Sequence, residues 1–313
     1  MKINKRIAYL LFIVATVIWG FAFVAQKNAT VIPAFAVCAL RSLFAILFLM
    51  GIIPLFDRLS RNGRRFFNKK TILDFNRREL IGGAVLGILL TAASGLQQIG
   101  IGDTDSGKAA FITALYVVIV PILSALFGKR PSVLSIISVP IAICGFYLLC
   151  IKNGFAFEIS DLLVLGCAII FSGHIISVDR FSPGCDGLRL SLLQFTVSFV
   201  LNAVISLIFE EPVTADAFVS VLPSLLYLGV CSSGIAYTLQ ILGQQSADPT
   251  VSSMILSMES VFGAIGGAIL LGETMQMREY IGCGVVLCAI LMAQLDPSSI
   301  KRLLGRRKEE KYE

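Results

Sequence analysis

Glu259 is the one charged side chain in "ILSMESVFGAIGG", residues Ile255 to Gly267. A carboxylate in such apolar company must be paired, hydrogen-bonded or neutralised, because leaving water uncompensated is costly. Desolvation disfavours the charged form of an acid, so Glu259 is a candidate for exchanging a proton as a solute moves. The competing reading is a protonated or Arg-paired group that ties its helix to a neighbour. Arg41 is embedded in another apolar run, "AFAVCALRSLFAILFLM". It can hold an anionic solute group, partner Glu259 or cap backbone carbonyls. His174, the only histidine, has the chemistry of a proton switch near neutral pH or of a hydrogen-bonded packing residue. Gln97, Gln194, Gln240, Tyr116 and Tyr237 are neutral groups suited to a polar ligand or to bonds between helices. Trp19 suits one wall of an aromatic pocket for a cation or a ring, or helix packing near a membrane interface.

What positions these groups is a set of apolar runs. The 313 residues are 56% hydrophobic and only 15% charged, far below the charge content of about 25% in soluble domains. Ten runs are long enough to cross a hydrocarbon core about 30 Å thick. They cover Ile7 to Ala25, Ala34 to Ile53, Leu80 to Ile101, Ala109 to Phe127, Val133 to Ile151, Leu162 to Val178, Leu188 to Phe209, Val219 to Leu242, Val251 to Leu271 and Tyr280 to Leu295. The first follows "MKINKR" but is too long for a secretory signal and has no convincing small-residue cleavage site, so it reads as a retained helix.

Lys and Arg beside membrane helices favour the cytoplasmic side. With the N-terminus inside, twenty-one of the 26 cations fall on that side, including the tail "KRLLGRRKEEK". Only Lys27, Lys108, Lys152 and Arg278 fall outside, and Arg41 lies within a helix. Both termini are therefore expected in the cytoplasm, and the net charge of +6 is explained by basic loops on an anionic leaflet, with no nucleic-acid partner. The eight cysteines have no C-x-x-C spacing and read as small packing residues. With one histidine and no thiol cluster, no metal site is expected.

The two halves echo one another. "LQQIG" (Leu96 to Gly100) precedes "LQILG" (Leu239 to Gly243) by 143 positions, and the same offset pairs Asp105 with Asp248 and Tyr116 with Glu259. "LFGKR" (Leu126 to Arg130) matches "LLGET" (Leu270 to Thr274) one residue later in register. An offset of 153 pairs "WGF" (Trp19 to Phe21) with "SGH" (Ser172 to His174) and Arg41 with Gln194. Five spans per copy is an odd number, so the second copy must enter the membrane from the opposite face. The fold expected is an all-α membrane protein of ten transmembrane helices, built as two inverted five-helix repeats over residues 1–155 and 156–313. Carriers of this design hold solute near the midplane, between the halves. Gly83 with Gly87 and Gly263 with Gly267 are spaced for close helix packing.

Trp19-Gly20, Arg41, "TALYVVIVPILSALFGKRP" (Thr113 to Pro131) and "ADPTVSSMILSMESVFGAIGGAILLGET" (Ala247 to Thr274) resemble ten-helix EamA-type members of the drug/metabolite transporter superfamily. The resemblance implies carrier transport of small organic metabolites, amino acids or related polar and toxic compounds, often outward, across the cell membrane. This chain departs from the pattern in Ser260 after the glutamate, Gly128-Lys129 in the first half, and Phe171-Ser172 where a second Trp is usual.

The partners expected are a small-molecule solute, the lipid bilayer and, through Glu259, protons, with no cofactor. Import or exchange, or a channel or structural membrane protein, are the alternatives, and the oligomeric state stays open between monomer and homodimer. An intramembrane protease is disfavoured. "GIGD" (Gly100 to Asp103) matches the G-x-G-D pattern, but Asp103 falls at a helix end and Asp179, the other candidate, at the opposite face. A serine protease built on His174 lacks a G-x-S-G nucleophile.

Overall fold

The computed structural model describes residues 4–61, 73–126, 133–150 and 158–294. The basic stretch at 64–70, Lys129, Arg130, Lys152, the junction between residues 155 and 156 and the tail from 295 onward lie outside the described residues. Every regular element among those described is helical: α1 (Lys5–Asn28), α2 (Ala34–Arg61), α3 (Arg77–Asp103), α4 (Ser106–Thr113), α5 (Tyr116–Leu126), α6 (Val133–Cys150), α7 (Ile159–Phe181), α8 (Gly187–Phe209), α9 (Ala215–Leu226), α10 (Thr238–Gln244), α11 (Pro249–Leu256), α12 (Glu259–Gly266) and α13 (Met277–Gln294). π-helical turns occupy Tyr227–Tyr237 and Gly267–Leu271.

Eight of these stretches are long and apolar enough to cross a membrane, and shorter apolar segments lie at Ile136–Gly145 and Tyr280–Ala289. Large apolar side chains stand on the outside, Leu207 at 85% and Phe209 at 80% exposure. A surface so apolar is what a lipid-facing band requires. The helix starts follow from local chemistry. Asn76 and Glu79 form a reciprocal capping box at α3, and the Asp186 carboxylate accepts the Leu188 and Arg189 amides at α8, each satisfying amides that have no partner in the first turn.

α2 and α8 pack side by side and are clasped at both ends. Arg189 at the start of α8, fully buried, donates to Asp57 near the end of α2 at 2.7 Å and also pairs with Asp186. At the other end, Glu210 just after α8 accepts the Phe35 and Ala36 amides of α2 at 2.8 and 2.9 Å. The two helices are thus antiparallel. Gly83 and Gly87 meet Leu193 and Val197 of α8, and Gly263 meets Ala110 of α4, so the glycines permit close approach. Seven of the cysteines are seen as free thiols, four of them buried.

Three runs expected as single helices are not continuous. Ala109 to Phe127 breaks between α4 and α5, Val251 to Leu271 breaks between α11 and α12, and Val219 to Leu242 passes through the π-helical stretch. The first two breaks share one pattern. Leu115, Val117 and Val118 donate to the carbonyls three residues back, and 143 positions later Met258, Ser260 and Val261 do the same. Pro121, inside α5, has no amide to donate to the carbonyl of Val117, which weakens the first run. In the second, Ser257 and Ser260 hydroxyls bond to the carbonyls of Met254 and Ser257, an interaction that bends helices. Tyr116 and Glu259 become the first residues of new helices.

Candidate functional site

The breaks open onto a cavity with about 470 Å³ of atom-free space, counting its part open to solvent. Four positions of α1, Trp19, Ala22, Phe23 and Gln26, line one wall at the spacing of a single helical face. Arg41 enters from α2, Gln97 from α3, Thr113 and Tyr116 from the first break, and Phe171, His174 and Ile175 from α7. Ser232 and Tyr237 of the π-helical stretch, Gln240 of α10, Leu256 and Glu259 close it.

The structure therefore brings Trp19, Arg41, Gln97, Tyr116, His174, Tyr237, Gln240 and Glu259 to one space. Gln194 stands behind it. Its Oε1 lies 3.1 Å from His174 Nε2, so the assigned arrangement leaves Nδ1 of that fully buried ring without a hydrogen-bond partner. Tyr237 is the centre of an edge-to-face cluster, with Trp19 at 4.7 Å, Phe195 at 5.6 Å and His174 at 5.9 Å between ring centres. Such contacts fix ring orientation and add stabilisation beyond burial. Trp19 also donates its indole N–H to the Ser232 carbonyl at 3.1 Å.

Arg41 is 6% exposed. Its Nε donates to Ser233 Oγ at 3.0 Å and its Nη2 to Ser232 Oγ at 2.9 Å. Among the described residues the guanidinium neither caps carbonyls nor pairs with Glu259, two of the roles open to it from sequence; its bonds are to the two serine hydroxyls on its side edge. Glu259, 5% exposed, begins α12 and faces the same cavity with no ion pair among the described residues. A helix start is a favourable place for a carboxylate, since the first-turn amides and the helix dipole present positive charge. The Tyr116 phenol lies beside that carboxylate, yet its oxygen has no hydrogen bond of ordinary geometry.

The glutamines divide by half. Gln97 accepts from Gln26 at 2.9 Å and donates to Thr113 at 3.1 Å, so its polar atoms are used. Its equivalent Gln240 donates to Gln244 at 3.0 Å and keeps a buried Oε1 with no partner. Residues that the sequence reading missed are Gln26, Thr113, Phe171 and the Ser232–Ser233 pair. Gln26 had a signal, being seven positions from Trp19 on the same face of α1. The serines had none, since a serine satisfies itself within a helix and is unremarkable in an apolar run.

Among the described residues no group of three or more His, Cys, Asp or Glu side chains could hold a metal ion. Comparison with known proteins gives a consistent picture. The model of the EamA-like transporter family matches twice, at residues 6–151 and 158–294. A protein of Archaeoglobus fulgidus named an uncharacterized transporter is 28% identical over 218 residues, 68% of each chain. The Bacillus subtilis uncharacterized transporter YoaV is 22% identical over 285 residues, 88% of this chain and 93% of its own. A crystal structure superposes with a TM-score of 0.67 at 18% identity, covering 98% of this chain and all of the other, which supports the fold alone.

Proposed function

The chain belongs to the EamA-like transporter family and is a multi-pass membrane transporter rather than an enzyme, and from that premise we propose that it is a secondary-active exporter of amino-acid-like zwitterions. The observation that carries this reading is the unpaired placement of Arg41 and Glu259 on one cavity. A buried charge needs a counter-charge. A solute carboxylate at Arg41 and a solute ammonium at Glu259 supply both at once, while Trp19, Tyr237 and Phe171 offer an aromatic wall to a side chain or to the ammonium. His174 Nδ1 and Gln240 Oε1, buried and without partners among the described residues, are further contacts available to a polar ligand.

Movement in this reading follows the inverted-repeat design: ten spans in two copies, residues 1–155 and 156–313, with both termini in the cytoplasm of a plasma-membrane protein. The matched breaks at Tyr116 and Glu259, and the antiparallel clasp of α2 and α8, support it. Discontinuous helices whose ends face a midplane site are a recurring device of such carriers. When no solute is present a proton takes the place of its ammonium on Glu259, so export couples to proton entry.

The experiment is transport by the full chain in proteoliposomes, with a panel of amino acids and an imposed pH gradient. Saturable, gradient-driven accumulation is expected for the wild type. Glu259→Gln keeps shape and hydrogen bonding but removes both the titrating group and the counter-charge of the solute ammonium, so uphill transport should vanish while downhill exchange survives with a raised KM for the zwitterion. Accumulation by Glu259→Gln with an unchanged pH dependence would return the glutamate to a structural role, and the absence of any saturable amino-acid flux in the wild type would remove the zwitterion reading itself.

A further inference from the structure

Ser232 and Ser233 lie in eleven consecutive residues of π-helix, a form found mostly as single turns and often at functional sites. Adjacent residues of an α-helix point to different faces. The wider π winding turns each residue through a smaller angle, and here both hydroxyls converge on the Arg41 guanidinium. The stretch is docked against its neighbours along its length. Tyr227 Oη donates to the Ile18 carbonyl at 2.9 Å, Trp19 donates to the Ser232 carbonyl, and Gly229 and Gly234 let Phe44 and Phe48 of α2 come into close contact.

The contacts are selective within the guanidinium. Nε and Nη2 form its side edge, and the serines occupy that edge. A guanidinium has five N–H groups, so the end formed by Nη1 and the second hydrogen of Nη2 keeps its donors. The occupants are also neutral. An acid on that edge would cancel the charge of Arg41; a hydroxyl fixes the plane and leaves the charge intact. Bidentate carboxylate recognition needs both a fixed plane and an intact charge.

We propose that Ser232 and Ser233 are positioning residues that orient Arg41 end-on to the cavity and thereby set selectivity for a solute that carries a carboxylate. The inference rests on the zwitterion reading above and adds a determinant that acts on the solute carboxylate through Arg41. Replacing the pair by alanine frees the guanidinium to rotate and costs recognition of the carboxylate alone. Placing an acid at the same site does more, because it compensates the charge internally and removes the need for a solute anion.

The test uses matched probes: phenylalanine and leucine, against phenethylamine and isopentylamine, which differ from them by loss of the carboxylate. Full-length wild type, S232A/S233A, S232T/S233T and S232D are reconstituted and assayed for saturable uptake of all four. For S232A/S233A the amino-acid KM should rise about tenfold or more, the scale of a lost bond to a charged group, with kcat within about twofold and the amine KM unmoved. S232T/S233T keeps both hydroxyls and should retain the wild-type ratio of amino acid to amine. S232D should invert that ratio. A parallel loss of all four probes in S232A/S233A, or an amino-acid-to-amine ratio equal to wild type, overturns the positioning role while leaving the zwitterion reading in place. Saturable transport of neither amino acid by the wild type overturns both.

Discussion

Arg41 and Glu259 were legible because charge in a membrane helix is expensive, about 2.5 to 3.5 kcal/mol at its centre on insertion scales, and is kept facing a protein interior or cavity. Both do face the cavity. What they bond to was not legible, since partners come from helices about 190 residues away in sequence, as the Arg41–Ser232 bond illustrates. The geometry sets an expectation for Arg41→Lys. An ammonium is a point charge that cannot satisfy two serines on one edge and a carboxylate on the other. The variant should still insert and bind, with an amino-acid KM raised about tenfold and little loss of stability, as read by transport and by thermal melting in detergent. A wild-type KM in Arg41→Lys would show that only charge matters at this position. Trp19→Phe is the companion case. It keeps the ring against Tyr237 but loses the bond to the Ser232 carbonyl, a loss of about 1 kcal/mol in stability.

At the scale of elements, apolar length marks helices well and their interruptions poorly. The run from Val251 to Leu271 contains no proline to announce a break, and the seven-residue stretch from Val251 to Ser257 already carries three serines whose bonds to carbonyls are invisible until the chain is folded. The π-helical stretch is equally silent, because its glycines and serines are ordinary at any close helix contact. Packing at these elements leads to a pair of contrasting substitutions. A Cβ at Gly20 of α1 would run into the Phe262 side chain and stand 2.9 Å from the Phe262 carbonyl carbon of α12, whereas one at Gly51 or Gly102 meets nothing within 4 Å. Gly20→Ala must displace α12, which begins with Glu259, so it should lose about 1 to 3 kcal/mol and most transport. Gly51→Ala and Gly102→Ala should keep both, measured by detergent melting and flux. The clasp of α2 on α8 gives a larger effect. Arg189→Ala leaves Asp57 and Asp186 without their cation, one of them fully buried, at a cost of about 3 to 5 kcal/mol; unchanged melting would show that those acids are compensated by other groups.

For the whole molecule, the repeat was visible in a handful of short matches, and the fold adds a stronger form of it: three tightened backbone bonds in one half recur 143 positions later in the other. Side-chain identity differs between the halves at Tyr116 and Glu259, while the backbone pattern that positions them is the same in both. The proposed inversion yields a sharp expectation, because equivalent loops must then lie on opposite faces of the membrane. Val31, between α1 and α2, corresponds at an offset of 153 to Gly184, between α7 and α8; Leu73 precedes α3, and Glu211 holds the matching place before α9. Single cysteines at Val31, Leu73, Pro183 and Glu211, all exposed, can be introduced after the eight native cysteines are replaced. A membrane-impermeant thiol reagent should label positions 31 and 211 on intact cells, and positions 73 and 183 only after permeabilisation. The opposite pairing would reverse the orientation inferred from basic residues and keep the inversion. Labelling of 31 and 183 from the same face would mean that the two halves enter the membrane in the same sense, and the site would then have to change its exposure by some route other than the exchange of two inverted copies.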